Sequence, residues 1–497
     1  MGNKIISWIK DNYILVAILI FATILRLYLY SKIGQQTHWW DGAEFMNMAR
    51  AWAFHIPYQF HPVRPILLSL INALFFKMIP GSELLPRAFI FGIGILSIYA
   101  VYLLGNEAYN KKVGLIAAFL MSLNYFNIFY TFRILADLPT LTFFTLSAYF
   151  FLKYFKYHKP RDIYWAAVMT GIGTLFKLPV ASILFVVAIF IVLTEGLTFL
   201  KKKEIYIAAL IFLLILSPYL IWGYMQFGGF VISQAGAYNM AEETGFAYVM
   251  SSIQNVIGYL RLFPTYFPLA IVIAFVAGLI TMKRVIYGWD VIFSKEESET
   301  RKKLKRDLFL ILLFIIPFVT IVLSLGYVDS RILLIVFPIV SIIGSAFIIK
   351  MYDLLAKEKN GKILGIIIIA LILTFPIYGL KQTEEQLVLK SHSYEQVKWA
   401  GVWLKENTLP TEAVVSTSTT QIRYYSERET FDLKQTEEEF DQLLIENPQI
   451  KYYLLASAFE PARNKDWMFE YPGKHNLELV KLYSSGEQAI LGIYKLK

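Results

Sequence analysis

The sequence contains no cysteine, so neither a disulfide framework nor a thiolate metal site can form. Charge is scarce as well: 17% of residues are charged against 57% hydrophobic, more apolar surface than one water-soluble core can hide. The net charge of +10 is not gathered on one face or arm. It falls in short clusters between apolar runs, which argues against nucleic acid as a partner and for membrane topology. Lys4 and Lys10 precede an apolar stretch from Tyr13 to Tyr30, yet no small-residue cleavage site follows, so the stretch reads as a retained first span. There is no short-period repeat and no low-complexity tract.

What is there is a succession of apolar runs. Spanning a bilayer takes roughly 20 apolar residues per helix, and such runs fall near 13–30, 86–105, 113–131, 134–152, 163–178, 179–197, 205–224, 263–282, 308–326, 332–350 and 363–380. This predicts about eleven crossings. With the N-terminus in the cytoplasm, every inner loop carries cations: Lys111 and Lys112; Lys153, Lys156, Lys159 and Arg161; Lys201 to Lys203; Lys283, Arg284 and 301–306; Lys357, Lys359 and Lys362. The positive-inside rule then holds at each of them. The same register puts outside the membrane the segment 31–85, the turns near 132–137, 177–179 and 327–331, the segment 225–262, and everything after 380. Within 31–85, residues 42–54 and 65–79 are amphipathic and too short to span, so they are expected to lie along the interface.

The organisation expected is a membrane domain over 1–380, with 31–85 as its first outer loop, and an extracytoplasmic domain over 381–497. In the latter, Ser393 with Gln396 and Thr436 with Glu439 have capping-box spacing. Tyr394, Val397, Trp399, Ala400, Trp403 and Leu404 follow an amphipathic helical pattern, Val414 and Val415 form an apolar pair, and 451–457 and 488–495 read as strands. A small α/β domain results, with no Gly-rich phosphate loop and no His or carboxylate cluster, which suits a lid or acceptor-docking module.

Ionisable residues at span mouths are costly unless they pair or line a wet cavity. Here they gather on the outer side: Asp41 and Glu44 in the first loop, three residues apart and so on one helical face; Arg64; Arg133 and Asp137; Lys177; Asp329 and Arg331. A transferase fed by a polyprenyl-phosphate sugar needs this mixture. The acceptor hydroxyl sheds a proton as it attacks, which a carboxylate takes, while the departing phosphate gains negative charge, which Arg or Lys stabilises. Simpler roles stand beside these. Asp41 suits a helix N-cap, Glu44 a solvated face, Arg133 with Asp137 an i,i+4 ion pair, and Lys177 and Arg331 headgroup snorkelling, with Asp329 as partner to Arg331. His38, Asp41, Glu44 and His61 are close in sequence without a recognised ligand spacing. No cofactor is certain, a divalent cation is a candidate, and His38 and His61 are its weak ligand candidates. In 225–262, Tyr238, Glu242 and Glu243 suit either a gate or a passive loop.

The order of motifs WWDGAEFMNMARAW, HPVRPILLSLINALFF, PRAFIFGIGILSIYAVYLLG, RILADLPTLTFFTLSAYF, GIGTLFKLPV and SRILLIVFP resembles the GT-C superfamily, in the branch of dolichyl-phosphate-mannose protein mannosyltransferases and the bacterial aminoarabinose transferase. The resemblance covers roughly residues 10–350. It implies a polytopic helical fold and an inverting, single-displacement glycosyl transfer. It also implies that Asp41 is the catalytic acid of the first outer loop and Asp137 the second acid, with Arg64 and Lys177 against the lipid phosphate. Many members carry Asp-Glu in the loop motif, whereas here Gly42 follows Asp41 and the next acid is Glu44. WWDG is also similar to the WWDYG motif of oligosaccharyltransferases, but that motif lies in a C-terminal soluble domain, and the match is set aside.

The expectation is therefore an enzyme of the cell membrane that moves one sugar from a polyprenyl- or dolichyl-phosphate to a hydroxyl of an external protein, lipid or glycan. Asp41 and Asp137 are the catalytic candidates. Glu44, Arg64, Arg133, Lys177 and Arg331 are the substrate-binding ones. A transporter or flippase of lipid-linked saccharides, or a non-catalytic envelope-assembly subunit, are the alternatives.

Overall fold

The computed structural model describes residues 2–61, 64–229, 246–288, 291–292, 298–324, 328–456, 467–485 and 488–496. Tyr238, Glu242 and Glu243 lie outside them. The chain divides into two compact units: Met1–Lys32 with Phe60–Leu68 and Leu84–Gln386, and Ile33–Gln59 with Ser69–Glu83 and Leu387–Lys497.

In the first unit the main helices are α1 (Gly2–Asp11), α2 (Tyr13–Ile33), α5 (Leu84–Ala108), α6 (Lys111–Leu123), α7 (Tyr125–Thr131), α8 (Asp137–Tyr157), α9 (Pro160–Phe176), α10 (Ser182–Glu195), α11 (Lys203–Phe227), α12 (Phe246–Tyr266), α13 (Leu269–Thr281), α14 (Glu299–Ser324), α15 (Phe337–Leu355) and α16 (Gly361–Ser391); α3 (Trp40–Phe54) and α4 (Leu67–Met78) come from the segment 31–85. Among the described residues seven helices are long and apolar enough to cross a membrane, or eight if the bent pair α6 and α7 is one span. The other expected spans are helical too. However, α9 has only 17 residues, α8 mixes Asp137, Lys153 and Lys156 with threonine and tyrosine, and α14 opens on a run of charges.

Small residues set how closely these helices pack, as membrane interfaces require. A Cβ on Gly114 of α6 would stand 2.7 Å from the Tyr102 carbonyl oxygen and 2.9 Å from the Asn106 nitrogen of α5, so only glycine admits this approach. Between α6 and α7 the chain bends by 59°. Asn124 sits at the bend, accepting from the Asn127 amide at 3.1 Å and donating to the Tyr266 carbonyl at 3.1 Å. Arg26 of α2, fully buried, braces the same bend from across the bundle. Its guanidinium donates to the Ser122 carbonyl at 3.2 Å, to Asn127 Oδ1 at 2.6 Å and to Thr131 Oγ1 at 3.3 Å. A carbonyl released by the broken helix thus finds a donor.

The second unit holds α3 (Trp40–Phe54), most of α4 (Leu67–Met78), and α17 (Glu395–Asn407), α18 (Thr419–Ser426), α19 (Glu437–Glu446) and α20 (Trp467–Lys474) around a sheet of β1 (Ala413–Ser416), β2 (Thr430–Asp432), β3 (Ile450–Ala456), β4 (Glu478–Ser485) and β5 (Gln488–Lys495). The order is β2-β1-β3-β5-β4. β1 runs parallel to β2 and β3, and the β3–β5 and β5–β4 pairs are antiparallel. Alternation of side chains builds two cores. One joins Val414, Tyr452, Leu454, Leu491 and Ile493 to Val397, Ala400 and Leu404 of α17. The other joins Val415, Tyr453 and Ile450 to Phe440 and Leu443 of α19.

Two local expectations change. Ser393 does not cap α17: the cap position is Tyr394, in the left-handed region at φ 66° with no side-chain cap bond. The turn is closed by the Ser393 and Glu395 amides on the carbonyls of Lys390 and His392. At α19 the Thr436 hydroxyl does accept from the Glu439 amide at 3.2 Å, while the Glu439 carboxylate reaches past it to the Gln435 amide. The first-loop helices appear where amphipathicity places them. But α3 is buried on nearly every side, from Gly42 to Ala49 without a gap, so it presents no continuous solvated polar face.

Candidate active site

In the first unit the turn 132–136 delivers Asp137 as the first residue of α8. Lys177 is the C-cap of α9, in extended conformation (φ −161°, ψ 130°), its amide still held by the Gly173 carbonyl. That conformation points the next residues into the turn Leu178–Ala181 and leaves the lysine at the helix end, where its Nζ meets Asp137 Oδ1 at 2.9 Å. Asp137 is 5% exposed and Lys177 29%. The i,i+4 alternative is thereby corrected, because Asp137 pairs with Lys177 and not with Arg133. Lys177 likewise turns to a carboxylate and does not simply snorkel.

Arg133 is buried, its guanidinium 3.7 Å over the Phe129 ring and donating to the Phe129 carbonyl at 3.3 Å. Arg331 forms a forked pair with Asp329 (Nη2 to Oδ2 2.7 Å, Nε to Oδ2 2.9 Å), the partner expected from sequence. Asp329 Oδ1 also accepts from the Arg331 amide at 2.9 Å, capping the short turn Ser330–Val336. Four of these charges have one neighbour in common, and Lys177 joins them through its pair with Asp137. The Tyr130 hydroxyl lies within electrostatic reach of Asp137, Arg331, Asp329 and Arg133, and Arg133 is within reach of Arg87, which donates to the Phe132 carbonyl at 3.4 Å. Tyr130 and Arg87 were not among the sequence candidates. Nothing in spacing marks them, since each reads as an ordinary residue of an apolar helix. The charges thus converge at one end of α7, α8 and α9, in a mixed cluster able to hold an anion and orient a hydroxyl.

Arg64 belongs to the same unit, its amide donating to the His61 carbonyl at 3.2 Å. Burial, and then the Arg64 charge, hold His61 below the ordinary histidine range. A neutral imidazole suits a metal, but a guanidinium beside it repels one. The remaining candidates belong to the second unit. Asp41 stands in the first turn of α3, half-buried; the N-cap is Trp39 without a side-chain cap bond. Glu44, one helical turn on, is buried, which overturns its reading as a solvated face. His38 bonds to Glu83, with Nε2 to Oε1 at 2.9 Å. Among the described residues no three His, Cys, Asp or Glu side chains cluster as metal ligands would.

Residues 63–222, under half of the chain, match the family model described as dolichyl-phosphate-mannose-protein mannosyltransferase. That stretch includes Arg64, Arg133, Asp137 and Lys177 and excludes Asp41 and Arg331. A search of curated proteins finds no match. Among solved structures the chain is similar to ArnT from Cupriavidus metallidurans bound to undecaprenyl phosphate, at 11% identity and TM-score 0.63, over 97% of this chain and 98% of that one. It is also similar to the Archaeoglobus fulgidus oligosaccharyltransferase in the apo form, at 15% identity and TM-score 0.64, over 90% of this chain and 70% of that one. The same archaeal enzyme in complex with an inhibitory peptide and a dolichol-phosphate matches at 14% identity and TM-score 0.57, over the same shares of the two chains. At such identities the likeness establishes the fold. The chain is a multi-pass membrane protein with the GT-C glycosyltransferase fold, and within that fold it resembles the branch of protein mannosyltransferases and the aminoarabinose transferase.

Proposed function

We propose that the protein transfers a single sugar from a polyprenyl or dolichyl phosphate to a hydroxyl acceptor outside the cytoplasm, with inversion at the sugar. The observation that carries this reading is the cluster around Tyr130, where Arg133, Lys177 and Arg331 stand with Asp137 and Asp329 at the ends of apolar helices. A substrate whose tail stays in lipid and whose phosphate sits at the membrane surface needs cations at that depth. The lipid phosphates held by two of the similar structures support the same donor class.

In this reading Asp41 is the general base that takes the acceptor proton. Asp137, fixed by Lys177, orients the sugar or acceptor. Arg64, Lys177 and Arg331 stabilise the charge that grows on the departing phosphate, and Glu44 and Arg133 serve substrate binding. The N-terminus lies in the cytoplasm and the C-terminal domain outside, because the cationic loops then all fall inside. Transport and assembly roles are not favoured, since the matching family model and the similar structures are glycosyltransferases.

The test is incubation of the purified protein in lipid with radiolabelled polyprenyl-phosphate sugars and an envelope acceptor fraction. Asp41→Asn is expected to lower transfer by at least ~10²-fold, the scale of general-base catalysis, while the protein remains folded and inserted. Near-normal turnover in that variant would remove Asp41 from the mechanism.

A further inference from the structure

Three stretches remote in sequence meet on one carboxylate in the second unit. Glu83 Oε1 accepts from the Tyr424 hydroxyl at 2.7 Å and faces His38 Nε2 at 2.9 Å, while its Oε2 accepts from Gln35 Nε2 at 2.8 Å. The His38 side chain is 3% exposed and that of Glu83 12%. Charge-assisted bonds to a carboxylate so shielded are shorter and roughly twice as strong as neutral ones. Burial, and then the Glu83 charge, push the Tyr424 hydroxyl well above its ordinary range, so it stays a donor.

The grip extends along the segment leading into α3. The His38 amide donates to the Tyr425 hydroxyl at 2.8 Å, and the His38 ring packs edge-on against Tyr424, ring centres 4.9 Å apart. Farther on, Asn47 Nδ2 donates to the Thr420 carbonyl at 2.8 Å. The Arg50 guanidinium lies 4.0 Å over the Tyr424 ring and bonds to the Tyr424 carbonyl. Helix α3 is therefore held against α18 from its entry to its last turns, and α18 itself is wedged tightly on α17. A Cβ on Gly401 would come within 2.5 Å of Tyr425 Cβ.

Only Trp39 and Trp40 separate His38 from Asp41. Glu83 is also the last residue before α5, so its bond to His38 draws the two ends of the first outer segment together and ties both to the C-terminal domain. We infer that Glu83, His38 and Tyr424 are positioning residues that fix the first turn of α3, and with it the Asp41 carboxylate, by locking the first outer segment onto the C-terminal domain. The catalytic half of this inference rests on the reading of Asp41 as the base. The C-terminal domain is then part of what holds the acid in place, beyond any role as a lid.

The test uses the full-length protein in lipid, with amide hydrogen exchange across 38–54 and transfer kinetics measured on the same samples. In Glu83→Ala and Tyr424→Phe, exchange over 38–47 is expected to speed up while the strands β1 and β3 stay protected, which separates local release from unfolding. In Glu83→Ala kcat should fall by about 10²-fold, as for a displacement of roughly 1 Å, with KM for the donor nearly unchanged. Glu83→Gln keeps an oxygen toward His38 and Tyr424 and should restore most of the rate. Unchanged exchange over 38–47 in both Glu83→Ala and Tyr424→Phe overturns the anchor whatever the enzyme does. Faster exchange with wild-type kcat overturns its link to catalysis. A wild type that transfers no sugar from any donor, alongside faster exchange in Glu83→Ala, overturns the reading of Asp41 and keeps the anchor.

Discussion

Asp137 is a buried anion at a helix start, and two features make it tolerable. The amides of the first turn of α8 favour negative charge, and Lys177 supplies a cation at 2.9 Å. The desolvation of a carboxylate that is 5% exposed is costly unless the charge is paired. Lys177→Met should therefore lower stability by about 3 kcal/mol, because it leaves the acid buried without its partner. The double substitution Lys177→Met with Asp137→Leu should regain most of that. Thermal unfolding in lipid reads both. Equal losses in the single and double variants would mean that the pair does not serve charge compensation. Sequence alone identified both residues but not their pairing. Asp137 and Arg133 are four apart and invite a helical ion pair, yet the turn 132–136 is not helical, so the i,i+4 geometry never arises.

At the scale of elements, the crossing of α5 and α6 is strictly specified. Gly114→Ala would drive a methyl to 2.7 Å from the backbone oxygen of Tyr102, and backbone cannot yield as a side-chain tip can. A loss of about 1–3 kcal/mol is expected. Gly92→Ala, where a Cβ meets nothing within 4 Å, is the matched control and should be silent. A Gly114→Ala protein as stable as Gly92→Ala would show that the two helices pack farther apart than described. The helices themselves were legible because long apolar runs permit little else in lipid. So were β3 and β5, whose apolar stretches lie in two separate cores. The strands β2 and β4 were not. Thr430–Asp432 is three residues long, and Glu478–Ser485 is an edge strand with Leu479 and Leu482 exposed, so neither carries the alternation that marks a half-buried strand. Helix α18 was missed for another reason: its Thr-Thr-Gln-Ile-Arg-Tyr-Tyr run is polar in composition, and only its packing against α3 and α17 buries it.

For the molecule as a whole, the segment 31–85 could be read as a place where charges collect, but not as a structural partner of the last hundred residues. No local pattern links His38 and Glu83 to Tyr424, since the contact is set by how the C-terminal helices close on α3. A comparable long-range dependence exists inside the membrane unit, and it bears on how the chain is made. Arg26 is placed within α2, where a guanidinium in lipid without its distant partners costs roughly 3 kcal/mol. Beyond the Ala22 carbonyl of its own helix, its acceptors Ser122, Asn127 and Thr131 are translated about a hundred residues later. During synthesis α2 thus waits, weakly seated or shielded by the insertion machinery, until the bent pair α6 and α7 arrives to receive it. Nascent chains truncated before residue 120 should be extracted from membranes more readily than chains carried past 135, and Arg26→Leu should abolish the difference. Equal retention of wild type and Arg26→Leu at the shorter length would mean that α2 seats itself unaided.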